Sequence, residues 1–205
     1  MSQLKVLAPF GPKIARLKFP QSLIKTINLE VDKIVKQKKL IKKYNYSKKL
    51  VGQVKQEIQL PKNFIKKYLA KKINLLIKEF IKSTTGKTTK TIKIKNFWVV
   101  SQFSHEYNPV HYHDGHVSGV GYLKIPKFTT NKKSLTTNGT IDFINGNKMF
   151  LNNSIFNHNP RVGDVILFPN YLMHTAYPFT SEGERRSFSF NAEIDNSIAN
   201  VFKNE

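Results

Sequence analysis

Leu23, Ile24, Ile27, Val31, Ile34 and Val35 recur at three- and four-residue intervals behind Pro20, with lysines in the gaps. That period predicts an amphipathic helix, and Pro20 suits its start. A second stripe, Ile65, Leu69, Ile73, Leu76, Ile77 and Phe80, follows Pro61, which fits a first helical position. Between the two stripes, Asn45 to Gln59 keeps no period and predicts no definite element. Residues 1–19, punctuated by Pro9, Gly11 and Pro12, read as an extended lead-in. From Thr91 onward the period shortens to two. Short β-type segments are predicted over 91–103, 117–125, 140–144, 148–151, 164–168, 173–178 and 186–194, separated by Gly, Asn and Pro. Helices followed by many short strands predict a mainly β, α+β chain: a sandwich or barrel carrying N-terminal helices. The expected organisation is a lysine-rich helical segment over 1–90 and a β core over 91–205, packed together as one domain.

Composition narrows the function classes. With 205 residues, 40 % hydrophobic and 12 % aromatic, the chain can build a real core, and global disorder is excluded. The absence of cysteine removes disulfide scaffolds, thiolate catalysis and zinc ribbons. Apolar runs fall far short of 18 residues and the start lacks a hydrophobic leader core, so a cytoplasmic protein without a membrane span is expected.

A net charge of +21 points at first to nucleic acid or an anionic surface. It is confined to one half. Residues 1–95 hold 25 basic and 4 acidic side chains, whereas residues 96–205 hold 9 of each. Of the basic residues 30 are Lys and only 4 Arg, and Lys is a point charge without the planar fork that reads phosphates and bases. The lysines are expected to be the solvated faces of the two helices, giving weak polyanion binding and no specific reading. Gly86-Lys87-Thr88 superficially suggests a phosphate loop, but the upstream glycine and the preceding apolar strand are missing.

The chemistry concentrates in the neutral half. All 6 histidines lie there, four of them within Ser104-His105-Glu106-Tyr107-Asn108-Pro109-Val110-His111-Tyr112-His113-Asp114-Gly115-His116. On an extended segment His111 and His113 point to the same side. One short stretch can thus offer two ligands to one metal, with Asp114 and His116 near. His174, on a later segment, can complete a facial set suited to non-haem Fe(II); plain hydrogen-bonded histidines or a surface Zn or Ni site would use the same residues. Near the end, Arg185, Ser187, Ser189 and Asn191 alternate with Arg186, Phe188, Phe190 and Ala192. The first face offers an arginine fork with a hydroxyl two positions on, a clamp for a carboxylate. A buried arginine needs an anion, either a protein carboxylate or a ligand.

Asn108 to His113, Ser118-Gly119-Val120-Gly121-Tyr122-Leu123, Gly163-Asp164 through Phe168-Pro169 to His174, and Arg185-x-Ser187 with Ser189-Phe190-Asn191 together resemble a family of 2-oxoglutarate- and Fe(II)-dependent oxygenases of marine bacteria and their phages, related in fold to the prolyl hydroxylases. The likeness spans about residues 96–194, with a weaker match over 50–82, where Gly52 and Glu57 fall in a helical lead-in. It implies a double-stranded β-helix, or jelly roll, with helices packed on one side. It also implies Fe(II), O₂ and 2-oxoglutarate as co-substrate, with metal ligands His111, His113 and His174. In this set His113 stands at the position the wider superfamily gives to a carboxylate, and Asp114 is the alternative. By the same likeness Arg185 grips the distal carboxylate of 2-oxoglutarate, aided by Ser187 and Tyr122, and Trp98, Asn108 and Asn191 line the substrate pocket. The implied reaction is hydroxylation of an unidentified small molecule or peptide, with release of succinate and CO₂, in the cytoplasm or in a host cytoplasm if phage-encoded. Two rivals use other parts of the pattern: a cupin-like metalloprotein without 2-oxoglutarate, and a non-catalytic basic binding protein. The oligomeric state is left open.

Overall fold

A computed structural model describes residues 10–128 and 137–200; the first nine residues of the expected lead-in lie outside them. Among these residues ten strands form two antiparallel sheets. The larger has the order β1 (Ala15–Lys18), β8 (Asp164–Pro169), β5 (Val117–Lys124), β10 (Arg185–Ile194), β3 (Ile92–Gln102) and β2 (Gln56–Gln59). The smaller runs β4 (Asn108–His111), β9 (Met173–Ala176), β6 (Ile141–Ile144) and β7 (Ile155–His158). This is the helix-bearing α+β architecture that the two periods predict, in the jelly-roll form that the resemblance implies.

Both sequence stripes become helices. α1 (Gln21–Val35) is N-capped by Pro20 and buries Ile24, Ile27, Val31 and Ile34. The second stripe begins as a short turn, α3 (Lys62–Phe64), widens into a π turn over Ile65–Leu69, and continues as α4 (Ala70–Thr85), closed by Gly86 in the left-handed conformation. Between them lies α2 (Lys38–Tyr44), and a last short helix, α5 (Asn196–Ala199), follows β10. α1 and α4 cover the outer face of the larger sheet. There Ile27, Val31, Ile73 and Ile77 meet Phe97, Val99, Val165, Leu167, Phe188 and Phe190. Lys25, Lys33, Lys71, Lys72, Lys78 and Lys82 point away into solvent, as their place opposite the stripe requires.

Strand alternation sends the other residues inward. Val120, Tyr122, Ile166 and Phe168 from the larger sheet meet Ile141 and Phe143 from the smaller. Gly119 and Gly121 on β5 make the helix-side layer possible. A Cβ on Gly119 would stand 2.4 Å from the Phe190 ring, and one on Gly121 only 2.2 Å from the Phe188 ring. The glycines are bare so that the rings can lie flat across the sheet.

Three expectations need correction. The strand expected at 148–151 is a turn with a single bridge, Met149 to Asn152, and Phe150 and Leu151 are exposed; the apolar run reflects no pairing. β4 and β7 form where no strand was predicted: they are the two edge strands of the smaller sheet, mostly unburied, so neither carries a run of buried apolar positions. The extended lead-in agrees with the expectation where it is described, residues 15–18 pairing with β8 as an edge strand. The lead-in around Glu57 is strand β2, paired with β3, rather than helix.

Gly121→Ala should lower stability by about 1–3 kcal/mol, the usual cost of overpacking. Urea denaturation would measure it, and adding Phe188→Leu should recover part of the loss.

Candidate functional site

β4 and β9 pair so that His111 stands opposite His174. His113 follows two residues later, held by its backbone N–H donating to the Asn170 carbonyl at 2.9 Å and by the Asn170 side chain donating back to its carbonyl at 3.1 Å. One ligand atom from each of His111, His113 and His174 can be chosen so that all three lie within 4.8 Å of one another. Ring centroids are 4.3 Å apart for His111 and His174, and 4.7 Å for His113 and His174.

The tautomers of two rings are fixed by the backbone. Nδ1 of His111 donates to the Pro109 carbonyl at 2.7 Å, and Nδ1 of His174 to the Leu172 carbonyl at 2.9 Å. Both leave Nε2 as a bare lone pair turned into the cluster. Nε2 of His113 lies 3.3 Å from Nε2 of His111. Burial, then repulsion from the neighbouring rings, holds His113 down at about 2, with Asn191 opposing weakly. Burial and His111 hold His174 at about 3. Three neutral, lone-pair-bearing imidazoles facing one point fit a divalent metal. Asp114 does not join them: its carboxylate is exposed and binds Lys95 at 2.7 Å. No carboxylate therefore belongs to the cluster among the described residues.

The histidines sit in a cavity of about 290 Å³ between the sheets. The polar face of β10 provides another wall, with Arg185, Ser187, Ser189 and Asn191 all lining it, while Phe188 and Phe190 face the helices. Arg185 and Arg186 are each 3 % exposed, yet their surroundings differ. Arg186 is answered by protein: it donates to Glu184 at 2.6 Å, to Asp32 at 2.7 Å and to Asn28 at 3.0 Å. Arg185 donates to the Gly139 carbonyl at 2.6 Å, its Nε has no partner, and no carboxylate pairs with it among the described residues. Close by, the Tyr122 hydroxyl is buried without a partner, and burial pushes it up to about 12 despite the nearby guanidinium. A buried charge and a buried hydroxyl with nothing to bind suit a ligand carboxylate.

Trp98, Asn108 and Asn191 also line the cavity, with Asn191 accepting from Ser118 at 2.9 Å. So do residues to which the sequence assigned no site role: Tyr46, Lys49 to Gly52, Glu57 and Ser189. Ser189 was legible from its alternation with Arg185 and Ser187. The segment 46–57 carried no periodic signal.

Residues 96–191 match the family model described as "Putative 2OG-Fe(II) oxygenase". The matched segment is somewhat under half of the chain, and it is there that the sequence is similar to the 2OG-Fe(II) oxygenases. Solved structures share its fold. A prolyl-4-hydroxylase from Pseudomonas putida aligns with a TM-score of 0.58 at 13 % identity, covering 88 % of this chain and 91 % of that one. A prolyl hydroxylase from Trichoplax adhaerens, in complex with a hypoxia inducible factor oxygen degradation domain peptide fragment, aligns at 0.60 and 11 %, covering 94 % and 87 %. HygX from Streptomyces hygroscopicus, solved with nickel and 2-oxoglutarate, aligns at 0.53 and 13 %, covering 88 % and 81 %. Identities this low show a shared fold alone. A comparison with curated proteins finds no match. No helix among the described residues is long and apolar enough to cross a membrane.

The depressed histidines make stability pH-dependent. Below the ordinary imidazole value of 6.5, the unfolded chain takes up protons that the folded His113 and His174 refuse. Their contribution is therefore intact above pH 6.5 and drains away as the pH falls towards 3, by at most roughly 1.4 kcal/mol per pH unit for each ring. Urea midpoints of metal-free protein between pH 7 and 4 should show the slope, and His174→Phe should flatten it.

Proposed function

We propose that the chain is a 2-oxoglutarate- and Fe(II)-dependent dioxygenase that hydroxylates a small molecule or peptide with release of succinate and CO₂. The observation that carries this reading is Arg185, a buried guanidinium without a protein carboxylate, in the same cavity as three converging histidines. His111, His113 and His174 would hold the iron, which when bound supplies the O₂-activating redox chemistry that side chains lack. The chain's own residues do the rest. Arg185 receives the distal carboxylate of 2-oxoglutarate through its fork, with the Tyr122 hydroxyl donating to the same group and Ser187 beside it on β10. The carbonyls of Pro109 and Leu172 keep two imidazoles in the ligating tautomer. Phe168, Phe143 and Trp98 pack around the histidine rings and keep water away from them.

The all-histidine ligand set supports one alternative, a cupin-like metalloprotein that uses no 2-oxoglutarate. It leaves Arg185 and Tyr122 without a function. A non-catalytic basic binder finds less support, since the lysines of α1 and α4 lie on the helical side of the larger sheet, away from the cavity.

Anaerobic protein with Fe(II) and 2-oxoglutarate should develop the weak visible charge-transfer band of the chelate. Arg185→Gln should weaken 2-oxoglutarate binding about 100-fold while Fe(II) is retained, and His174→Ala should lose Fe(II). Wild-type protein that holds iron but ignores millimolar 2-oxoglutarate would leave the cupin-like alternative standing.

A further inference from the structure

The cavity has a second set of unanswered polar atoms, distinct from Arg185 and Tyr122. Part of its wall is built by residues 46–57, which lie outside the segment matched to the oxygenase family. Within that wall Glu57 stands on β2 opposite Val100. Alternation sends its neighbour Ile58 into the helix-side core and turns Glu57 towards the cavity, where it is 1 % exposed. Among the described residues its Oε2 has no hydrogen-bond partner, and neither has Oδ1 of Asn108, at the start of β4. The two groups converge on Gly52: a Cβ there would lie 2.6 Å from Asn108 Oδ1 and 2.6 Å from Glu57 Oε1. Beside them Tyr46 and Trp98 pack with ring centroids 6.1 Å apart.

Two buried acceptors, with only the Ser47 hydroxyl near Glu57 to oppose its burial, are costly unless something brings N–H groups to them. The chain's own nearby cation does not do so. Lys49 holds its ammonium 5.4 Å over the Tyr46 ring, and no ion pair to Glu57 occurs among the described residues. Burial pushes the Glu57 carboxyl up to about 7, the Ser47 hydroxyl opposing and Glu106 adding to it. An incoming cation would reverse that cost. Of all hydrogen-bond donors, a protonated amine best answers the set: it donates to carboxylate and amide oxygen together, neutralises the carboxylate, and finds aromatic faces alongside.

We propose that Glu57 and Asn108, seated against Gly52 and flanked by Tyr46 and Trp98, form a subsite for a protonated primary amine. The molecule presented to the histidine cluster then carries an amino group. Its status as a substrate rests on the oxygenase reading, whereas its binding does not.

Calorimetric titration of the full-length protein tests the subsite without needing turnover. 1,5-Diaminopentane and Nα-acetyl-lysine methylamide probe a free amine and a lysine side chain; 1-pentanol and pentanoate are neutral and anionic controls. At least one amine should bind about tenfold or more tightly than 1-pentanol. Glu57→Gln, which preserves shape, should remove that preference, and so should Gly52→Ala, which fills the seat from the other side. Amines that bind no better than 1-pentanol, or a preference that survives Glu57→Gln in a folded variant, would overturn the subsite even where 2-oxoglutarate binds. Amine binding in a protein that ignores 2-oxoglutarate would sustain the subsite and defeat only the oxygenase reading.

Discussion

A guanidinium buried among neutral groups is the constraint around which the cavity is arranged. Burying a charge costs several kcal/mol unless it is paired, and adjacent arginines on β10 meet that cost differently. Arg186 faces the helix side and is neutralised by Glu184 and Asp32, tying β10 to α1. Arg185 faces inward and, among the described residues, donates only to a carbonyl. That unspent charge fixes what the cavity accepts, and it does so next to a cluster of neutral histidines that adds no counter-charge of its own.

An all-neutral ligand set has electrostatic consequences for the rest of the cavity. A bound divalent ion would keep its full charge, because no carboxylate in the cluster offsets it. Together with Arg185 this makes the inner end of the cavity strongly electropositive and receptive to dianions. Glu57, on the β2 wall, contributes the opposite sign. The cavity is therefore polarised, with the anion-seeking and donor-seeking groups on different elements, and a reactant carrying both charges would be oriented before any chemistry began.

Much of this was legible from residues alone. The i, i+3, i+4 stripes of α1 and α4 and the alternation of β10 are long enough for period to identify them. The latter also predicted which side chains of 185–192 share the cavity. His111, His113 and His174 could be grouped because two-residue spacing is unambiguous on a strand, although the bonds fixing their tautomers come from the carbonyls of Pro109 and Leu172, which no pattern marks. β4 and β7 were illegible because they are edge strands of the smaller sheet with few buried apolar positions, unlike the equally short β6 and β9 between them. The wall from Tyr46 to Glu57 was illegible for another reason: its shape depends on pairing with β3 and on a glycine fitted against two side chains. Asp114, attractive for lying beside the histidines in sequence, is drawn outward by Lys95.

The bare positions Gly119 and Gly121 have a meaning for folding that goes beyond space-filling. If β10 slipped by one residue against β5, the Phe188 and Phe190 rings would turn into the cavity and Arg185 would be pressed against the apolar helices. The slipped pairing would also set those rings beside side chains larger than hydrogen. The two glycines thus act as a proofreading device for strand alignment: a chain whose phenylalanines have found them has, by the same event, aimed its arginine.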